Sequence, residues 1–194
     1  MKQLDREEMA QWLTGAQQAA PVYLVGIGGC GMSGLAHLLL DMGLSVHGSD
    51  LRENAEVCQL RERGAEIFIG HAPEQLRTAR PDLVVYSSAI RADNPELAVA
   101  EQQGLSVVRR AVLLAALTHR RRSICIAGMH GKTTTTALLA HALKALGTEP
   151  GFAVGAFAPQ LGRHARCGAE GSYFVVETDE SDGTLREFQP HQSI

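Results

Sequence analysis

The sequence predicts an α/β protein: a doubly wound parallel sheet, followed by the first, incomplete part of a second α/β unit. Three observations carry this reading. Apolar strands alternate with amphipathic helices from Pro21 onward, which is the pattern of a parallel sheet covered on both faces. Two glycine turns, "YLVGIGGCGMSGLAHLLL" (23–40) and "SICIAGMHGKTTTTALLAHAL" (123–143), each stand between an apolar strand and a helix. After the second turn the alternation yields only about three strands, fewer than a sheet of this kind normally uses.

Taken in order, "LDREEMAQWLTGAQQAA" sets Leu4, Met9, Trp12, Leu13 and Ala16 on one helical face, and Asp5 with Glu8 three residues on forms a capping box. Strands follow near 22–26, 45–48, 66–69, 83–87 and 106–108, with helices near 31–42, 54–63, 95–103 and 110–118. Gly, Asp, Asn and Pro punctuate the short loops between them. The second unit offers a strand at 123–127, a helix at 131–146 and strands at 151–155 and 172–177. The basic "THRRRS" stretch marks the seam, with a first domain over 1–120 and a second over 121–194. Its arginines 120–122 read as a solvated helix end in preference to a ligand site. The final "QPHQSI" stands where another strand would start, so the second domain is expected to be cut short.

Composition narrows the function classes. The 194 residues are 45% hydrophobic with a net charge of −3, which supplies a core and argues against nucleic-acid or membrane-surface partners. Cys30, Cys58, Cys125 and Cys167 lie far apart without a Cys-x-x-Cys pair, which disfavours a zinc site and suits a reducing compartment. No apolar run approaches the ~18 residues of a membrane helix and no signal peptide opens the chain, so the expectation is a cytoplasmic protein.

Gly26, Gly28 and Gly31 fit Gly-x-Gly-x-x-Gly after a strand and at the start of a helix, where backbone N–H groups can approach a diphosphate. Asp50 closes the next strand, 19 residues after Gly31, where a carboxylate can hold a ribose hydroxyl. By these rules a dinucleotide such as NAD is the natural ligand. The additional Gly29 and Ser33 widen the nest, and spacing alone leaves the identity of the diphosphate open.

The second turn fails the strict Gly-x-x-x-x-Gly-Lys-[Ser/Thr] pattern, because Ile126 stands where the first glycine belongs. Its working part is present: Gly128, then Gly131, Lys132 and Thr133 at a helix start. Lys132 can neutralise β- and γ-phosphates, and the Thr133 hydroxyl can bind Mg²⁺. Four successive threonines, 133–136, are poor helix starters, so they make more sense facing phosphate. Downstream, "VVETDESDG" (175–183) follows an apolar strand, and Glu177 is its best candidate for Mg²⁺. A calcium loop fails on spacing, while a merely solvated acidic loop stays open.

The motifs "GIGGCGMSGLA", "GSD" (48–50), "SSAI" (87–90), "NPE" (94–96), "GMHGKTTTT" and "ETDESDG" occur in this order, and together they resemble the Mur ligases of peptidoglycan synthesis. The resemblance covers nearly the whole chain from about residue 21. It implies a Rossmann-like domain holding a UDP-sugar, followed by the start of a P-loop ATPase-type central domain. The 26–34 loop, with Gly28, Gly29, Cys30, Gly31, Met32 and Ser33, would then hold the diphosphate of UDP-N-acetylmuramate instead of NAD. Uridine or sugar contacts are implied among Asp50, His71, Ser87, Ser88 and Asn94.

By the same resemblance Gly128, Met129, His130, Gly131, Lys132, Thr133 and Thr134 form the ATP loop. Lys132 and Glu177 would be catalytic, and Thr133 and Glu177 would hold Mg²⁺. Met129 departs from the family's usual threonine, which removes one hydroxyl and leaves the backbone cradle. The implied reaction joins L-alanine to the carboxylate of UDP-N-acetylmuramate through an acyl phosphate, at the expense of ATP. A muropeptide-recycling ligase, a non-catalytic nucleotide-sugar module and an NAD-dependent dehydrogenase are the alternatives. The segment alone is expected to bind the UDP-sugar without turning over.

Overall fold

The computed structural model describes residues 2–15, 20–178 and 185–194. By contact the chain divides into two compact units, Met1–Leu113 and Leu114–Ile194. The first runs β1 (Lys2–Gln3), α1 (Arg6–Gly15), β2 (Val22–Val25), α2 (Cys30–Asp41), β3 (Val46–Asp50), α3 (Ala55–Glu62), β4 (Glu66–Ile69), α4 (Pro73–Ala79), β5 (Leu83–Tyr86), α5 (Pro95–Gln102) and β6 (Ser106–Arg109). The division falls inside the next helix, α6 (Arg110–His119), and not after residue 120.

Its sheet has the order β1-β6-β5-β2-β3-β4, and every pair is parallel. Strand β2 lies between β5 and β3, so the order reverses there and opens a crevice at the carboxyl ends of the strands. All four residues of β2 are buried, as expected when helices cover both faces of a sheet. Tyr23, Val25, Val84 and Val107 of the strands pack with Leu76 and Ala79 of α4 and Leu97 and Ala100 of α5.

The Asp5–Glu8 box closes reciprocally: Glu8 N donates to Asp5 Oδ1 at 2.9 Å, and Asp5 N to Glu8 Oε2 at 3.1 Å. Met9 and Leu13 are buried and Trp12 is half-buried, while Ala16 lies outside the described residues. Two elements of this unit carry little signal in the sequence. Strand β1 has two residues, too few for any periodicity. Helix α4 has seven, with Pro73 in its first turn and a left-handed Arg80 (φ 47°) at its end as the available signals.

The second unit runs β7 (Arg122–Ile126), α7 (Lys132–Ala145), β8 (Gly151–Ala153), β9 (Ala165–Arg166), β10 (Tyr173–Glu177), a 3₁₀ turn at Leu185–Glu187 and β11 (Gln192–Ser193). The order is β11-β7-β10-β8-β9, parallel except for β9. The expected count of about three strands is therefore corrected to five among the described residues, the two additions being pairs of residues that only partner strands define. One of them, β11, begins within "QPHQSI" and pairs Gln192 with Ile124 and Ser193 with Cys125. Ile124, Ile126, Phe152 and Val175 form its core with Ala140, Val154, Ala158 and Leu161.

The basic run is not simply solvated. Arg121 lies 5.4 Å from the Phe174 ring centroid and donates to Cys167 O, and Arg122 lies 4.6 Å from that of Tyr173. Their planar guanidiniums stack on the aromatic pair that opens β10, which spacing in the sequence could not reveal.

Candidate functional site

At the first turn the chain leaves β2 through Gly26 in the left-handed region (φ 77°). Gly26 N and Ile27 N both donate to Ser49 O, at 2.8 and 2.9 Å, which ties the turn to β3. Asp50 Oδ2 accepts from Gly28 N at 2.9 Å, and Asn54 Nδ2 donates to Gly28 O at 3.1 Å. A Cβ on Gly28 would come within 3.0 Å of Asn54, Val57 and Asp50, so the position admits only glycine without rearrangement. Asp50 thus braces the turn as well as closing β3, and its Oδ1 accepts from Arg52 N at 3.2 Å.

Helix α2 begins at Cys30, which is exposed, with Gly29 as its N-cap residue. Met32 N and Ser33 N both donate to Gly29 O, and the Ser33 hydroxyl donates to Cys30 O at 3.1 Å. Both side chains are buried. They hold the first turn of the helix against the core, whereas the sequence suggested that they face a ligand. Arg110 was missed altogether. Its Nη1 lies 2.5 Å from where a Gly31 Cβ would be, so the guanidinium rests against the start of α2. No motif flags Arg110; its only signal is that it follows directly on the end of β6.

Ser87 and Ser88 follow β5 directly, Ser87 half-buried and Ser88 exposed. The fold therefore brings the 28–33 turn, Asp50, His71, Ser87, Ser88 and Arg110 to one edge, the carboxyl ends of parallel strands. Asn94 has a structural task of its own. Its Oδ1 accepts from Glu96 N at 2.9 Å and Leu97 N at 3.3 Å, capping α5, and the residue is buried. His71 Nδ1 lies 2.7 Å from Glu96 Oε2, deep in a polar cluster with Ser49 and Tyr23. Burial, reinforced by the Glu96 carboxylate, holds the Tyr23 hydroxyl far above its ordinary pKa, so it acts as a donor.

At the second turn β7 leads into Gly128 (φ 135°) and Gly131 (φ 81°), the latter capping α7 in the left-handed conformation. Lys132 Nζ donates to Gly128 O at 2.7 Å, closing the loop on itself. Thr135 N donates to Gly131 O, and the buried Thr136 donates its hydroxyl to Lys132 O at 2.8 Å. Thr136 is thereby a helix-core residue; Thr133 is half-buried and Thr134 exposed. Met129 and His130 are exposed, so the departure at 129 leaves the packing of the cradle unaltered.

Glu177 ends β10 opposite Ile126, which brings it to the same edge as this turn. A Cβ on Gly155 would overlap Glu177 Oε1, and Glu177 Oε2 is buried without a hydrogen-bond partner among the described residues. Buried carboxylate oxygens are rarely left so. An acceptor in that condition beside a phosphate-type loop suits a hard divalent cation, and the residues present fit one. Thr178 is held to Ile126 O by its N–H at 2.9 Å. The rest of the acidic stretch, 179–183, falls outside the described residues. Among the described residues, no helix is long and apolar enough to cross a membrane.

The model of the Mur ligase family, catalytic domain, matches residues 21–122, more than half of the chain. A UDP-N-acetylmuramate–L-alanine ligase of Hyphomonas neptunium is 46% identical over 174 residues, 90% of this chain and 36% of that protein. One from Chelativorans is 50% identical over 169 residues, 87% of this chain and 36% of that protein. The chain thus spans a little over a third of the length of the curated relatives it matches. Among solved structures, the UDP-N-acetylmuramate–alanine ligase of Thermotoga maritima superposes with a TM-score of 0.83 at 33% identity, covering 89% of this chain and 40% of that one. The UDP-N-acetylmuramate:L-alanyl-γ-D-glutamyl-meso-diaminopimelate ligase of Neisseria meningitides gives 0.84 at 26%, covering 91% and 60%.

Proposed function

Because the chain belongs to the Mur ligase family, we propose that it is the substrate-gripping and phosphate-handling portion of an ATP-dependent ligase joining L-alanine to UDP-N-acetylmuramate. The observation that carries this reading is the second turn: a glycine cradle with Lys132 and Thr133, beside a buried Glu177 oxygen that has no hydrogen-bond partner among the described residues. A dehydrogenase has no use for such a site. The first turn then grips the diphosphate of the UDP-sugar through the backbone at 28–31 and the Arg110 guanidinium. Two cradles serve two phosphate-bearing substrates.

In this scheme Lys132 leaves Gly128 O and turns to the β- and γ-phosphates, where its charge offsets that developing during transfer. Thr133 and Glu177 would hold Mg²⁺, whose contribution is to neutralise phosphate oxygens. The lactyl carboxylate of the sugar takes the γ-phosphoryl group, and the resulting acyl phosphate is opened by the amine of L-alanine with release of phosphate. Positioning and charge neutralisation suffice, and no side-chain nucleophile is needed. Between the two solved relatives, identity is higher to the alanine-adding ligase than to the tripeptide-adding one, 33% against 26%, which favours alanine. A cytoplasmic site of action goes with these substrates.

Calorimetry on this chain tests the reading, with UDP-N-acetylmuramate and NAD as titrants. Binding of the UDP-sugar without NAD is expected; tight NAD binding with no UDP-sugar binding overturns it. In a protein of the relatives' length, Lys132→Ala is expected to abolish most turnover while leaving UDP-sugar affinity unchanged.

A further inference from the structure

The side chain that caps α3 also holds the first glycine turn. Asn54 Oδ1 accepts from Val57 N at 2.9 Å, which is the N-cap bond of the helix. Its Nδ2 donates to Gly28 O at 3.1 Å, which reaches back to a residue at the end of β2. The two bonds fix which way the amide faces, because a backbone N–H needs an acceptor and a carbonyl needs a donor. Among the side chains that cap helices well, Asn is the one that offers both from a single planar group. An ionised Asp only accepts, and Ser and Thr end one bond short of the Nδ2 position.

Gly28 depends on such a partner. It has no side chain to pack, so bonds to its main chain set its place: Asp50 Oδ2 takes its N–H at 2.9 Å, and Asn54 takes its carbonyl. Next to it, Gly29 N donates to Gly26 O at 3.1 Å, and Gly29 O accepts from Met32 N and Ser33 N. The carbonyls of 26, 28 and 29 are thus all engaged by protein donors, and only the one at 28 relies on a side chain. Unrestrained glycine samples more backbone conformations than any other residue, so two in succession gain most from being pinned. Binding to a loose turn carries the cost of ordering it, and a pinned turn avoids that cost.

Resting on the nucleotide-sugar reading above, we infer that Asn54 is a positioning residue for the diphosphate. Its Nδ2 pre-orders the Gly28–Gly29 stretch that grips the ligand, apart from its work as the cap of α3. It acts through Gly28 and not by contact with the phosphates.

Asn54→Ser separates the two tasks, because a Ser hydroxyl can still cap α3 and cannot reach Gly28 O. Titrated with UDP in a calorimeter without denaturant, this variant should bind about 10-fold more weakly than the unsubstituted chain. Asn54→Ala loses both bonds; it should bind UDP as weakly as the Ser variant and unfold at a lower urea midpoint. A cap alone would give the opposite split, with lower midpoints and UDP affinity untouched wherever the chain is folded. UDP affinity of the Ser variant within about 2-fold of the parent therefore overturns the inference and leaves the nucleotide-sugar reading standing. Should the Ser variant not fold, Asn54→Asp replaces it, since Asp caps as well as Asn but cannot donate to Gly28 O, and undiminished UDP binding there overturns the inference equally. A parent chain that binds no UDP overturns both.

Discussion

Replacing Gly48 by alanine should destabilise the first unit strongly, although Gly48 touches no expected ligand. Gly48 lies in β3 opposite Leu24 of β2, and its backbone is not in the left-handed region. An alanine is therefore conformationally permitted, and any cost is steric. The added Cβ would stand 2.6 Å from Leu24 O and 2.9 Å from Ile27 Cδ1. Ordinary contact begins near 3.4 Å, so β3 would have to retreat by about 0.8 Å from a backbone atom that cannot turn aside. Overpacking of this kind costs about 1–3 kcal/mol, and a backbone clash belongs at the upper end. With a urea m-value of about 1.5 kcal/mol/M, the midpoint should fall by about 2 M. The chain's single tryptophan, Trp12, sits in the first unit and reports its unfolding by fluorescence. Gly15→Ala, at the end of α1 with open space around it, is the matched control and should be neutral or slightly stabilising. A Gly48→Ala midpoint within about 0.3 M of the parent, at unchanged m, would refute the close-approach argument.

Three further outcomes are expected. Gly155→Ala should drive Glu177 out of its place and reduce the Mg²⁺-dependent part of ATP affinity by about 10- to 100-fold, with Mg²⁺-free affinity unaltered; nucleotide titrations with and without Mg²⁺ would read this. Asn94→Ala should lower the unfolding free energy by about 1 kcal/mol through loss of the α5 cap, and Asn94→Asp should restore it, as seen in denaturant midpoints. A thiol reagent at pH 8 should modify exposed Cys30 and Cys58 well before Cys125, whose thiol burial pushes up to about 12. Because that value is raised in the folded state, the stability it contributes is complete below the ordinary thiol value of 9.0. It is lost as pH climbs from there through the folded value, and a pH series of melts on Cys125→Ala against the parent should show the difference.

What the sequence determined by itself was whatever depends on neighbours in the chain. Short apolar runs located the longer strands, and amphipathic patterning located the helices. Glycines between a strand and a helix marked both turns, and Asp5 with Glu8 announced a cap that closes as expected. These are local physics, complete within about a dozen residues. The tertiary structure decided whatever needs a partner from elsewhere. Strands β1, β9 and β11 exist only because a neighbouring strand offers hydrogen bonds. Arg110 reaches Gly31 because β6 and β2 end at one edge of the same sheet. Ser33 and Met32 share the spacing of ligand-facing residues, and it is packing that turns them inward. The resemblance implies a uridine or sugar contact at Asn94, and only the folded chain shows that its Oδ1 caps α5. The Glu96 cluster joins residues 23, 49, 71 and 96, which lie far apart in the chain. Burial gives that side chain its meaning, because a polar group withdrawn from water must find hydrogen-bond partners among the elements around it.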